Sequence, residues 1–353
     1  MNLGLVSVLS LLLAAGSAVA QDMAANTNNW LEVSNDREAR EIVFSIGPID
    51  LPAGAGHHAI HQPPLLTGRV PMDAYLYGFD IELVDADGQP VPRRVLHHVN
   101  LIDPDHRELF SPVARRLFAA GGETQSGAMP KLLGVHVESG QRLMVSVMFH
   151  NPTGESYDGA KLNVRLKYRE RGWVFPISVY PVYIDVMGHL GVKDFDLPPG
   201  KSERSWEGSP AIPGRLLAAG GHLHDHATRL RFEDLTEEKV LWEVGPETDE
   251  TGRVVAVPVG KFWWKGGLNL RPDHLYRLTV AYDNPTGKTL AGGGMGVLGG
   301  VFLAERGWNW PDVDLDDPLY SMDLERTHLM ATRRSTAMAM GGSDESADAH
   351  THH

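Results

Sequence analysis

A chain of 353 residues, 42% apolar and 22% charged, is long enough for two domains and too apolar to remain disordered. Its 45 acidic against 32 basic residues give a net charge of −13 at pH 7, which argues against nucleic acid or an anionic membrane as the main partner. There is no Cys, which excludes disulfides, thiolate zinc sites, iron–sulfur clusters and Cys nucleophiles. There are 17 His and 12 Met, so a metal would be left to imidazole, thioether or carboxylate.

The first twenty residues read as an export signal. Leu3 to Ala15 is an apolar run, followed by Gly16-Ser17 and the small-residue site Ala18-Val19-Ala20, with cleavage expected before Gln21. The segment before the run carries no Lys or Arg, so an uncleaved anchor is the alternative. No later apolar run approaches the ~18 residues that span a bilayer. The mature protein is expected to be exported, periplasmic or secreted, without stable membrane insertion. Residues 21–39 form an N-terminal extension.

Beyond it, most of the chain reads as strands that alternate or run apolar. Arg142 to Phe149, Leu162 to Tyr168, Thr228 to Phe232 and Leu275 to Tyr282 are the clearest runs, and Asp85 to Gly88 and Asn151 to Gly154 are turns. Only Leu109 to Ala120 looks helical. The stretch Val147-Met-Phe-His-Asn-Pro-Thr-Gly154 returns as Val280-Ala-Tyr-Asp-Asn-Pro-Thr-Gly287, 133 residues later, which suggests a tandem repeat of related domains. The expected fold class is all-β, with two tandem antiparallel jelly-roll-like sandwich domains. They are placed at 40–188 and 189–310 and joined near Asp196-Leu-Pro-Pro-Gly200. Residues 311–353 turn small, polar and acidic and are expected to form a flexible tail.

Histidines carry the chemistry. In Gly220-Gly-His222-Leu-His224-Asp-His226, positions i and i+2 of a strand share a face, so His222 and His224 can converge on one copper or zinc ion. In Val95-Leu96-His97-His98-Val99, adjacent histidines of a regular strand point apart and meet at one metal only where the backbone bends. His150 ends an apolar strand. In Ala291-Gly-Gly-Gly-Met295-Gly296, the glycines allow close approach and the thioether suits Cu(I).

His-His, a later His, then His-x-His and a later Met, across two β domains, resembles the type II copper, ascorbate-dependent monooxygenases, which include the peptidylglycine α-hydroxylating and dopamine β-monooxygenases. The resemblance covers roughly residues 70–305. It implies two coppers per chain, one on each domain, facing across a solvent-filled cleft. By the resemblance, His97, His98 and His150 hold the electron-storing copper. His222, His224 and Met295 hold the catalytic copper that meets dioxygen and substrate, and ascorbate is the electron donor. Three departures matter. The family's third histidine aligns with Met148, so Met148 is the rival of His150. Where peptide-hydroxylating members carry an Arg, an Asn and a Tyr near the second site, this chain has Gly220, Val297 and Gly299, so a glycine-extended peptide substrate is not expected. The lack of disulfides points to a bacterial branch.

His57, His58 and His61 read as a polar loop before Pro63-Pro64, with a separate metal site as the alternative. His226 is a candidate neighbour of the ligand pair, and His350, His352 and His353 lie in the tail. The expected function is hydroxylation of a C–H bond of a small organic substrate with dioxygen and ascorbate or another reductant. The alternatives are a non-catalytic copper-binding or copper-handling protein, and a zinc-dependent or purely structural β protein.

Overall fold

Alternating burial runs along the strands and sorts them into layers. The computed structural model describes residues 30–172, 176–188 and 193–339. The export signal and the three tail histidines lie outside them. The principal strands are β1 (Leu31–Asp36), β2 (Glu41–Leu51), β3 (Leu66–Arg69), β4 (Ala74–Val84), β5 (Leu96–Arg107), β6 (Ala114–Ala120), β7 (Leu133–Val137) and β8 (Arg142–Phe149). They continue with β9 (Tyr157–Arg169), β10 (Ile177–Asp185), β11 (Gly200–Gly208), β12 (Gly214–Leu223), β13 (Ala227–Asp234), β14 (Lys239–Val244), β15 (Tyr276–Asn284) and β16 (Gly296–Ala304). A helix, α1 (Pro318–Ala339), follows. In β9 the pattern is clear: Ala160, Leu162, Val164, Leu166 and Tyr168 are buried, and the residues between them are not. Among the described residues, no helix is long and apolar enough to cross a membrane.

The fold is all-β. One long sheet runs in the order β1-β2-β9-β4-β7-β10-β16-β12 and passes through both halves of the molecule. Its first part packs on a four-stranded sheet, β3-β8-β5-β6, and its last part on another, β11-β15-β13-β14. Each pairing of layers encloses its own core. Phe44, Leu162, Val99 and Val145 belong to the first. Ile184, Leu298, Phe232 and Val280 belong to the second. Strand β10, assigned by sequence to the 40–188 unit, joins the two lobes. It pairs antiparallel with β16 from Tyr180 to Asp185 and parallel with β7 from Ile177 to Val179. The stretch expected to link the domains lies partly in a short strand, Phe195–Leu197, and runs directly into β11.

The repeated turns are built alike. Asn151 accepts from Thr153 N–H and Oγ1–H at 3.0 and 2.7 Å, and its amide donates to the carbonyls of Leu51 and Glu155. Asn284 accepts from Thr286 N–H and Oγ1–H at 3.1 and 2.7 Å, and its amide donates to Leu197 and Lys288. Both Asn side chains are buried, so each stands in for the backbone partners that the turn lacks.

Two expectations are corrected. Leu109 to Ala120 is not a helix: residues 114–120 form strand β6, paired with β5, and 109–113 are irregular. A buried ion pair and a buried backbone hydrogen bond hold the strand. Arg115 donates to Asp103, its cross-strand partner, at 2.6 Å, and the Arg116 N–H donates to the carboxylate of Glu108 at 2.6 Å. The segment after residue 311 is not simply a tail, because α1 docks on the outer face of the first lobe. Tyr320 is buried against Leu65, Ile102, Ala114 and Met144, and Asp323 makes a two-pronged ion pair with Arg116 at 2.6 and 2.8 Å.

Candidate metal centre between the lobes

His97 and His98 open β5, where the register slips. Leu96 pairs with Phe149 and His98 with Met148, so His97 is the extra residue of a β-bulge. This supplies the bend that adjacent histidines need, and their Nδ1 atoms come within 3.1 Å. His150 follows the end of β8, the strand paired with β5, and its ring centre lies 5.3 Å from that of His97. Met148 is buried and lines the same cavity as His97 and His98.

From the second lobe, His222 lies one residue before the end of β12 and His224 just beyond it, with ring centres 5.3 Å apart and the intervening Leu223 buried. Met295 sits between two strands, and the Tyr282 hydroxyl fixes its place. That hydroxyl accepts from the backbone N–H of Met295 at 2.9 Å and of His224 at 3.3 Å, and donates to the Met295 carbonyl. Burial raises the Tyr282 phenol, which keeps it a hydrogen-bonding hydroxyl.

The two sets adjoin. The rings of His97 and His224 are 6.1 Å apart, where the resemblance implied sites separated by an open cleft. Burial pushes the His97 imidazole well below its ordinary range, and the rings of His98, His224, His150 and His222 add to the effect. His97 is therefore a neutral imidazole at physiological pH, the form that can bind a metal.

Two imidazoles sharing a tetrahedral ion at about 2.0 Å per nitrogen place their ring centres roughly 5 Å apart and their donor atoms roughly 3.3 Å apart. The pairs 97–98, 97–150 and 222–224, at 5.2, 5.3 and 5.3 Å, fit this spacing, as does the 3.1 Å between the Nδ1 atoms of His97 and His98. The residues present thus fit a copper or zinc ion.

A residue that sequence reasoning missed completes the arrangement. Glu123, between β6 and β7, accepts from His222 Nδ1 at 2.6 Å. Burial alone would raise the Glu123 carboxyl, but the charge and hydrogen bond of His222 outweigh it, so Glu123 stays ionised. Burial likewise lowers His222, and Glu123 more than reverses this. With Nδ1 engaged, Nε2 is the nitrogen left for a metal, the usual pairing of carboxylate and ligating imidazole. The partner lies 99 residues away in sequence, so no local signal marks it.

His97, His98, His222, His224 and Met295 line a cavity of about 800 Å³ with contributions from both lobes. Its walls include Tyr77, Phe79, Phe118 and Trp263. Gly220 and Gly299 face each other across β12 and β16 on its floor, beside Val297, and no side chain fills the space beside Gly299. These are the positions where the resemblance would have placed a polar clamp.

His57 and His58 also line the cavity, which the polar-loop reading did not foresee. His61 is exposed, with its ring 5.6 Å from that of Trp30. His226 adopts a left-handed backbone, φ 69°, and its carbonyl accepts from Asp283 N–H. Away from the cavity, Asp234, Glu237 and His274 bring possible ligand atoms within 4.8 Å of one another. There Asp234 accepts from His274 Nδ1 at 2.7 Å and from the N–H groups of Thr236 and Glu237, the pattern of a braced turn.

No family model matches the chain, and no curated protein matches it. Among solved structures, it is similar to the major capsid protein P2 of bacteriophage PM2, at 11% identity and a TM-score of 0.34, over 74% of this chain and 98% of that one. It is also similar to PNGF-II, at 9% identity and a TM-score of 0.34, over 80% of this chain and 64% of that one. A third is a putative secreted protein from Eubacterium rectale, at 7% identity and a TM-score of 0.23, over 69% of each chain.

Proposed function

We propose that this protein is an exported copper-dependent monooxygenase that hydroxylates a C–H bond of a small organic substrate, using dioxygen and ascorbate or another reductant. One observation carries the reading: four stretches far apart in sequence, from two lobes, bring His97, His98, His150, His222, His224 and Met295 to one region of the molecule. His97, His98 and His150 would hold one ion, with Met148 as rival to His150. His222, His224 and Met295 would hold the other. Copper so bound supplies one-electron redox chemistry and dioxygen activation, and the thioether favours its reduced state.

The chain's own residues prepare the site. Glu123 fixes the His222 ring, and Tyr282 holds the backbones of His224 and Met295 together. The aromatic walls and glycine floor leave a space suited to a small, largely apolar molecule. The absent polar clamp also favours a second reading, a copper-binding protein without turnover.

Copper content and oxygen consumption separate the two. The reconstituted protein is expected to hold two coppers and to consume dioxygen with ascorbate in the presence of small apolar or phenolic compounds, with free copper removed by a chelator. His98→Ala should suppress that consumption about 100-fold, since a lost ligand weakens metal retention and the unit acts as a whole. Equal rates for the wild type, His98→Ala and His224→Ala across the panel would leave a copper binder; zinc in place of copper would leave neither.

A further inference from the structure

His57 belongs to a turn that the molecule holds in place. The loop from 52 to 62 is tied down along its length. The N–H of Gly54 donates to Thr153 O at 2.8 Å, and the N–H of Asn151 donates to Ala55 O at 2.7 Å. Ile60 is buried in the core of the first lobe. Gln62, 3% exposed, reaches back from the end of the loop. Its amide donates to the His57 carbonyl at 3.0 Å and to Phe149 O at 2.7 Å, and its oxygen accepts from Phe149 N–H at 2.8 Å. One buried amide thus ties the backbone of His57 to the residue that precedes His150.

The outcome is geometric. The His57 ring centre lies 6.1 Å from that of His97. Two imidazoles on one ion stand roughly 5 Å apart in a tetrahedron and approach roughly 6.5 Å when they lie on opposite sides of it. The His57–His97 separation falls inside that range, as does the 6.1 Å from His97 to His224, but His57 belongs to the same lobe as His97, His98 and His150 and is tied through Gln62 to Phe149, beside His150. The His57–His58 separation, 3.9 Å with the rings tilted at 45°, is shorter than one ion allows its ligands, so His58 does not share the ion.

We infer that His57 is a further ligand of the copper held by His97, His98 and His150, completing a site with four imidazole donors, and that Gln62 is its positioning residue. The inference rests on the copper reading above. It assigns the His57-His58 segment to the same centre, where the sequence left it as a loop or as a site of its own.

The test is copper binding to the full chain, read by chelator competition and by the nitrogen hyperfine pattern of the Cu(II) electron paramagnetic resonance spectrum. His57→Ala should weaken copper at this site at least 10-fold and remove one nitrogen from the pattern, while the sulfur-containing site stays occupied. His61→Ala, four residues on, should leave both readouts at wild-type values. Gln62→Ala should weaken binding while the protein stays folded, and Gln62→Glu, which keeps an acceptor for Phe149 N–H, should keep part of the affinity. Wild-type affinity and spectrum in His57→Ala, with loss in His97→Ala, would overturn the inference and leave the copper reading standing. Equal losses in His57→Ala and His61→Ala would also overturn it, because they would report the fold of the loop. A wild-type chain that takes up no copper would overturn both.

Discussion

Asp323→Ala should cost the protein about 3 kcal/mol, although it lies beyond the segment that composition assigns to structure. Asp323 is 4% exposed, and both its oxygens accept from the Arg116 guanidinium, at 2.6 and 2.8 Å. Burial alone would lower the Arg116 pKa, but the charge and hydrogen bonds of Asp323 reverse this and hold it above its ordinary value. Removing one partner of such a pair leaves a buried charge unpaired, at a typical cost of about 3–5 kcal/mol. Arg116 keeps one acceptor, the Ala114 carbonyl at 2.6 Å, which places the expected loss at the lower end. For a chain of this length that is a fall of about 4 °C in Tm. Urea unfolding and calorimetry measure it. Arg116→Met combined with Asp323→Leu should recover most of the loss, because an apolar pair of similar volume has no charge left to strand. A single variant within about 0.5 kcal/mol of wild type would refute the docking of α1, since surface changes fall in that range.

Two further outcomes are expected. Met295→Ala should remove the single sulfur scatterer from the X-ray absorption spectrum of the reduced copper protein while the other ion stays bound; a surviving sulfur signal would make Met148 the source. Glu108, raised to about 7 by burial despite the N–H groups of Arg116 and Tyr183 that it accepts, binds its proton more tightly folded than unfolded. Its contribution to stability is therefore full below pH ~4.5 and falls as pH rises to about 7, by about 3 kcal/mol in all. Glu108→Gln should flatten that part of the profile in urea midpoints taken from pH 4.5 to 8, and an unchanged difference from wild type across the range would remove Glu108 as its source.

What the sequence disclosed was local, and what it concealed depended on distant partners. Alternation marked β9 because one face of it is buried, a property that side chains two residues apart record directly, whereas β8, buried on both faces, showed itself as a short apolar run. Leu109, Val113 and Leu117 recur every four residues, as on a helix. Arg115 and Arg116 nevertheless lie in a strand, stabilised by Asp103 and Asp323, and Asp323 is 207 residues away. The last helix was hidden by composition: Tyr320, Asp323 and Thr327 form a buried stripe at helical spacing, but two of the three are polar, so hydrophobic periodicity does not reveal it.

The histidines divide along the same line. That His97 and His98 need a bent backbone follows from strand geometry alone, and the bulge at His97 supplies it. That the two expected sites adjoin follows only from β10, which carries one sheet through both lobes and so brings the end of β12 beside the start of β5. Glu123 and His57 enter the centre by the same route, through contacts that no spacing along the chain encodes. Residue types therefore sufficed to suggest a metal and its ligands, whereas the separation of the two histidine sets is a property of the shared sheet. If both sets hold copper as proposed, the 6.1 Å between the rings of His97 and His224 would be the short path between the ions, and the site's chemistry should then be more sensitive to β10 and its pairings than to the loops that rim the cavity.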